Sequence, residues 1–181
     1  IDLADRPLTL ANRTDKPLTA VVTSIAAPLD PLPAGGTGFT IEREYYALDG
    51  SPATIADARQ NERFVAVLKI REANAWPSRI VVTDLLPAGL EIDNPSLSGS
   101  AQLENFDWLG NVEPAHLEFL DDRFVAAFNR SANDDRLIQL AYVVRAVTPG
   151  TYVHPAAQVE DMYRPQLSAR TASGFMKVSP A

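Results

Sequence analysis

The sequence predicts an all-β fold, an antiparallel β-sandwich of the fibronectin type III or immunoglobulin-like kind, and three observations carry that expectation. Apolar residues recur at every second position in most segments, the period of a pleated strand with one buried face, and no segment keeps the helical period over a long run. The segments are short and are punctuated by 14 prolines and 9 glycines, residues that end strands and build turns. Hydrophobic residues make up 46% of the 181 positions and charged residues 22%, enough apolar surface to fill a core and too much for a disordered tract.

The first 37 residues stand apart from the rest. Leu8 to Leu10 and Leu18 to Val22 read as β segments flanking the polar turn Asn12-Arg13-Thr14-Asp15-Lys16-Pro17, and Ala27 to Gly36 is a Pro- and Gly-rich linker. A two-stranded hairpin is only marginally stable alone, so residues 1–37 either belong to a preceding domain or pack on the main one, residues 38–181.

In that main domain Phe39 to Tyr46 is the first strand. Phe64 to Arg71 is the next, with Phe64, Ala66, Leu68 and Ile70 on one face. A polar turn through Asn74 and Pro77 leads to Arg79 to Asp84, and the two strands together read as a hairpin. Leu86-Pro87-Ala88-Gly89-Leu90 is a turn into a short strand, Leu90 to Ile92. Asn94 to Glu118 lacks alternation and is expected to be a crossover loop with a short helix near Pro114 to Leu120. Phe124 to Phe128 is a β segment between two acidic turns, Asp121-Asp122 and Asp134-Asp135. The clearest strand is Arg136 to Val147, with Ile138, Leu140, Tyr142, Val144 and Ala146 on one face and Gln139 and Arg145 on the other; its apolar character places it centrally. Thr148-Pro149-Gly150 has the residues of a type II turn, after which Thr151 to Val159 is expected to return as the partner strand. Pro155 removes a ladder donor there, which marks an edge or a bulge. Ala169 to Val178 completes the set.

The formal net charge of −7 and a pI near 4.8 argue against binding a phosphate backbone or an anionic membrane. With no cysteine, the chain has no disulfide, zinc–thiolate site or thiol nucleophile. No apolar run approaches the roughly 20 residues that span a bilayer. The chain opens Ile1-Asp2-Leu3 without a basic-then-apolar leader, which suggests a piece of something longer. His116, near Glu113 and Glu118, lacks a second histidine or cysteine and reads as a surface or satisfied side chain, and His154 falls on the polar face of its strand. Ser98-Gly99-Ser100 lacks a nucleophile-elbow context, Gly35-Gly36-Thr37-Gly38 lacks the phosphate-binding lysine, and the paired aspartates lack the alternating ligands and closing Glu of a calcium loop. No catalytic residue, cofactor or metal ligand is therefore assigned. Trp76, before Pro77 in a turn, could cap a sheet edge or meet a neighbouring domain, and Trp108 is expected to anchor the crossover.

Five stretches then carry a resemblance: Gly38-Phe39-Thr40-Ile41-Glu42-Arg43-Glu44-Tyr45-Tyr46, Asp84-Leu85-Leu86-Pro87-Ala88-Gly89-Leu90-Glu91-Ile92, Arg123-Phe124-Val125-Ala126-Ala127-Phe128, Thr148-Pro149-Gly150-Thr151-Tyr152, and Pro155-Ala156-Ala157-Gln158-Val159-Glu160-Asp161-Met162-Tyr163-Arg164-Pro165. In this order and spacing they resemble the last, macroglobulin-like domain of bacterial alpha-2-macroglobulins, over roughly residues 38–175, and the N-terminal hairpin resembles the end of the CUB-like region before it. The resemblance implies a large periplasmic protein, usually anchored in the inner membrane as a lipoprotein, that traps proteases after they cut a bait region, in many members through a buried thioester. Its partners would be the neighbouring domains of the parent chain and the target proteases. Since a thioester needs a cysteine, it would lie elsewhere in the parent. The matching shield motif is Met162-Tyr163, whose aromatic ring and flexible thioether suit a dry cover. The same pair could serve as a plain interdomain contact, or pack at a sandwich corner. A different class of function, an adhesive or ligand-binding Ig-like module of a bacterial surface protein, would instead place a ligand-binding loop cluster at one end of the sandwich.

Overall fold

A computed structural model describes residues 9–23, 25, 30–93, 106, 109–110 and 112–181, and among these the regular structure is strand throughout. Fourteen strands are formed: β1 Gly35–Thr37, β2 Phe39–Tyr46, β3 Pro52–Ala53, β4 Asp57–Arg59, β5 Arg63–Glu72, β6 Ser78–Leu85, β7 Leu90–Ile92, β8 His116–Phe119, β9 Arg123–Arg130, β10 Leu137–Ala146, β11 Gly150–His154, β12 Ala157–Asp161, β13 Arg164–Arg170 and β14 Gly174–Ser179. They make a six-stranded sheet in the order β1-β13-β12-β6-β9-β8, a five-stranded sheet β3-β2-β5-β10-β7, and a three-stranded sheet β11-β14-β4. All pairings are antiparallel except β14 with β4.

The expected alternation sets the core. On β5, Phe64, Ala66, Leu68 and Ile70 are buried, facing Ile138, Leu140, Tyr142 and Val144 of β10 across nine registered pairs. They meet Ile80 and Val82 of β6, Phe124 and Phe128 of β9 and Val159 of β12 in one continuous cluster between the two large sheets. The Phe124 ring stacks on Tyr142 with centroids 4.4 Å apart. The outer face of the five-stranded sheet is covered as well: Val65, Val67 and Val143 pack with Phe106, and Leu109 adjoins them. β5 is therefore buried on both faces, and β10 lies second from the sheet edge with only the three-residue β7 beyond it.

Several expectations are corrected. β5 and β6 do not form a hairpin: β5 is flanked by β2 and β10, whereas β6 lies between β12 and β9 in the opposite sheet. Both strands are apolar enough to need long neighbours on each edge, so the chain between them crosses the sandwich. The segment Thr151 to Val159 is two strands broken at Pro155, and neither pairs with β10; β11 joins β14, and β12 joins β6 and β13. Pro155 cannot donate to a ladder, and the break falls there. Gly150 takes φ 156°, more extended than a type II turn requires. No helix forms near Pro114 to Leu120; His116–Phe119 is β8, an edge strand on β9. Ala169 to Val178 is likewise divided, between the end of β13 and β14. Around Asn12 a turn is closed by the Asn12 amide on the Lys16 carbonyl at 2.7 Å, but no strand flanks it among the described residues. Gly35–Thr37, in the segment read as linker, adds β1 to the edge of β13. Ser98-Gly99-Ser100, Trp108 and most of the crossover lie outside the described residues.

Candidate functional site

β12 and β13 are joined by a two-residue turn, Met162 and Tyr163, with Asp161 opposite Arg164 at its base. Both turn side chains face solvent, Met162 58% and Tyr163 82% exposed, whereas the second methionine, Met176, is buried at 1%. The backbone beneath them is held by two hydrogen bonds. Met162 N–H donates to the Arg79 carbonyl of β6 at 2.7 Å, and Tyr163 N–H donates to Asp161 Oδ1 at 3.0 Å. Asp161 is fully buried, and its Oδ2 accepts from Arg164 Nε at 2.7 Å. Arg164 Nη2 donates to the Pro77 carbonyl at 3.0 Å, and its guanidinium lies 4.8 Å above the centre of the Trp76 ring. Trp76 thus caps the sheet end beside the tip rather than meeting solvent alone. Pro77, Ser78, Arg79, Asp161, Tyr163 and Arg164 line an open hollow of about 360 Å³ there.

A second constellation escaped the sequence reading. Arg43 of β2 forms an ion pair with Asp84 of β6, and donates from Nη2 to the Pro155 carbonyl at 2.7 Å. Tyr142 of β10 donates to the other Asp84 oxygen at 2.6 Å. Tyr45 and His154 share a hydrogen bond of 2.8 Å at its margin. Burial pushes the Asp84 carboxyl up, against the pull of Arg43 and of the Tyr142 hydroxyl. Burial, then the nearby Arg43 charge, lowers His154 to about 3, so the ring is neutral and half-buried rather than on a polar face. The signal was present: Arg43, Asp84 and Tyr142 occupy the inward parity of strands whose other inward residues are Ile41, Val82 and Leu140. A polar residue at such a position needs a partner in the core. Here the partners are one another, and all of Asp84's strong donors are internal, which makes the group a staple between the two large sheets.

The remaining candidates are dispersed. His116 is exposed and bonds Glu118 at 2.9 Å. Asp122 pairs with Arg123 at 2.7 Å on the surface, and Asp134 accepts from Ser131 N–H at 2.9 Å within its turn. Among the described residues no group of three or more His, Cys, Asp or Glu side chains could hold a metal ion, and no helix is long and apolar enough to cross a membrane.

Against known proteins, a family profile described as Bacterial Alpha-2-macroglobulin MG10 domain matches residues 38–166. The alpha-2-macroglobulin of Escherichia coli (strain K12) is 38% identical over 176 residues, which cover 92% of this chain and 10% of that protein. The crystal structure of native E. coli alpha-2-macroglobulin from domain MG7 to the C-terminus superposes with a TM-score of 0.72 at 37% identity, covering 86% of this chain and 25% of that one. A structure of E. coli alpha-2-macroglobulin activated by porcine elastase gives a TM-score of 0.69 at 33% identity, over 84% of this chain and 14% of that one. The chain thus spans only 10% of the length of the curated relative.

Proposed function

Because the chain belongs to the bacterial alpha-2-macroglobulin family through its MG10 domain, we propose that it is a non-catalytic domain of a periplasmic protease trap anchored to the inner membrane, with no hydrolytic or inhibitory action of its own. In this reading residues 1–37 are the end of a preceding CUB-like region and residues 38–181 the macroglobulin-like sandwich. Its work is contact with neighbouring domains, holding the resting state until a protease cuts the parent elsewhere. The contact runs through Met162 and Tyr163. In a parent that carries a thioester, the same pair covers that bond from water.

One observation carries the proposal: two large apolar side chains stand in solvent on a turn whose two backbone amides are both tied down, one to β6 and one to the buried Asp161. A flexible thioether beside an aromatic ring can adapt to a neighbour's surface, and the restrained backbone beneath them leaves little main-chain entropy to lose on docking. The two methionines supply the test. Peroxide should oxidise Met162 rapidly in the 181-residue chain and Met176 slowly in any intact form. In the full-length parent, Met162 oxidation should slow by about tenfold or more, the effect of ~1.4 kcal/mol of docking. Equal Met162 rates in the two proteins would sink the contact.

A further inference from the structure

Resting on that reading, we infer that Asp161, Arg164 and Trp76 are positioning residues, a clamp that presets Met162 and Tyr163 for docking. The turn itself is poorly suited to its sequence. Two-residue hairpin loops favour types I′ and II′, which need positive φ and hence Asn-Gly or Gly at the centre. Met162 and Tyr163 supply neither, and neither takes positive φ. A turn without positive φ splays its strands, and the ladder carries the corresponding irregularity: the β12–β13 register shifts between Glu160 and Asp161.

The clamp compensates for this misfit. Asp161 has one oxygen on the Tyr163 amide and the other on Arg164 Nε, so a single buried carboxylate fixes both sides of the turn. Arg164 carries the restraint outward to the Pro77 carbonyl and to the face of Trp76, on the β5–β6 connection. The Met162 amide bonds Arg79 on the neighbouring strand. Two apolar side chains are thereby kept on a turn that better turn formers would relax. Trp76 takes part without touching the presented pair's own hydrogen bonds, which makes it the cleanest place to cut the chain of restraint.

Three variants of the full-length parent test this: Trp76→Leu, which leaves every hydrogen bond in place; Arg164→Gln, which removes the ion pair; and Trp76→Phe, which keeps an aromatic face under the guanidinium. Peroxide oxidation of Met162 is read in each, with Met176 as the internal standard for the fold. The clamp predicts that Trp76→Leu and Arg164→Gln raise Met162 oxidation in the parent by about tenfold, that Met176 stays protected, and that Trp76→Phe behaves as the wild type. Shielding of Met162 in the wild type that persists undiminished in Trp76→Leu and Arg164→Gln would overturn the clamp while leaving the docking contact standing. Absence of shielding in the wild-type parent would remove the contact, and the positioning role with it. Should Arg164→Gln expose Met176, its fold is lost and Trp76→Leu, partly exposed at the surface, decides the matter alone.

Discussion

At Asp84 a carboxylate lies inside a hydrocarbon core, where desolvation of an unpaired ion costs several kcal/mol. Arg43 and Tyr142 satisfy it, and His154 and Tyr45 fill the margin with a second, neutral hydrogen bond. That arrangement has a pH consequence. In the unfolded chain the imidazole titrates near 6.5, and in the folded chain at about 3, so as pH falls through this window the unfolded state takes up a proton that the folded state refuses. The contribution of His154 is complete above 6.5 and is lost towards 3. Thermal unfolding should therefore move to lower temperature between about pH 7 and about pH 5, and His154→Gln should shrink that movement. An unaltered pH profile in the variant would mean that the folded ring accepts its proton freely. Removing one partner of the buried pair, as in Arg43→Ala, leaves the Asp84 charge stranded and belongs to the range of about 3–5 kcal/mol.

The path from β1 to β2 turns on Gly38, where φ is +81° and an added Cβ would meet Leu167 Cδ2 at 2.9 Å. This corner carries the chain from the edge of the six-stranded sheet into the five-stranded one. Gly38→Ala should lower stability by about 1–2 kcal/mol, read as a shift in the denaturant midpoint; an unmoved midpoint would show that the corner relaxes. Elements were legible in the sequence to different depths. β2, β5, β7, β9 and β10 were readable because period-2 alternation states which face of a strand is buried, and the burial of Phe64, Leu68, Ile138 and Val144 follows it. Alternation does not state which strand is the neighbour. The β5–β6 pairing failed for that reason, since two strands consecutive in sequence can be joined across a sandwich as readily as along a sheet. β8 was missed because it is only four residues long and mostly exposed: Leu117 and Phe119 alternate, but two apolar positions are too few to declare a period, and Phe119 alone reaches the core. At the tip, Met162 and Tyr163 were singled out by resemblance, whereas Asp161, Arg164 and Trp76 are separated enough in sequence that only folding brings them together.

One core serves all three sheets. Ala58 of β4 and Met176 and Val178 of β14 belong to the same buried cluster as Phe64, Ile80 and Phe128. Unfolding should accordingly be cooperative, and Met176→Ala should cost about 2–5 kcal/mol while moving the far-UV dichroism and tryptophan fluorescence transitions together; separated transitions would mean that the three-stranded sheet melts by itself. The same geometry bears on how the chain is made. β4 is synthesised well before its parallel partner β14, and β11 must wait for β14 as well. Until β14 arrives, the floor under Ala58 and Ile55 is open to water. Closure across so long a stretch of sequence is entropically slow. Until that strand is made, a nascent chain of this kind carries an unfinished apolar surface, which is the interval in which holding chaperones would engage it.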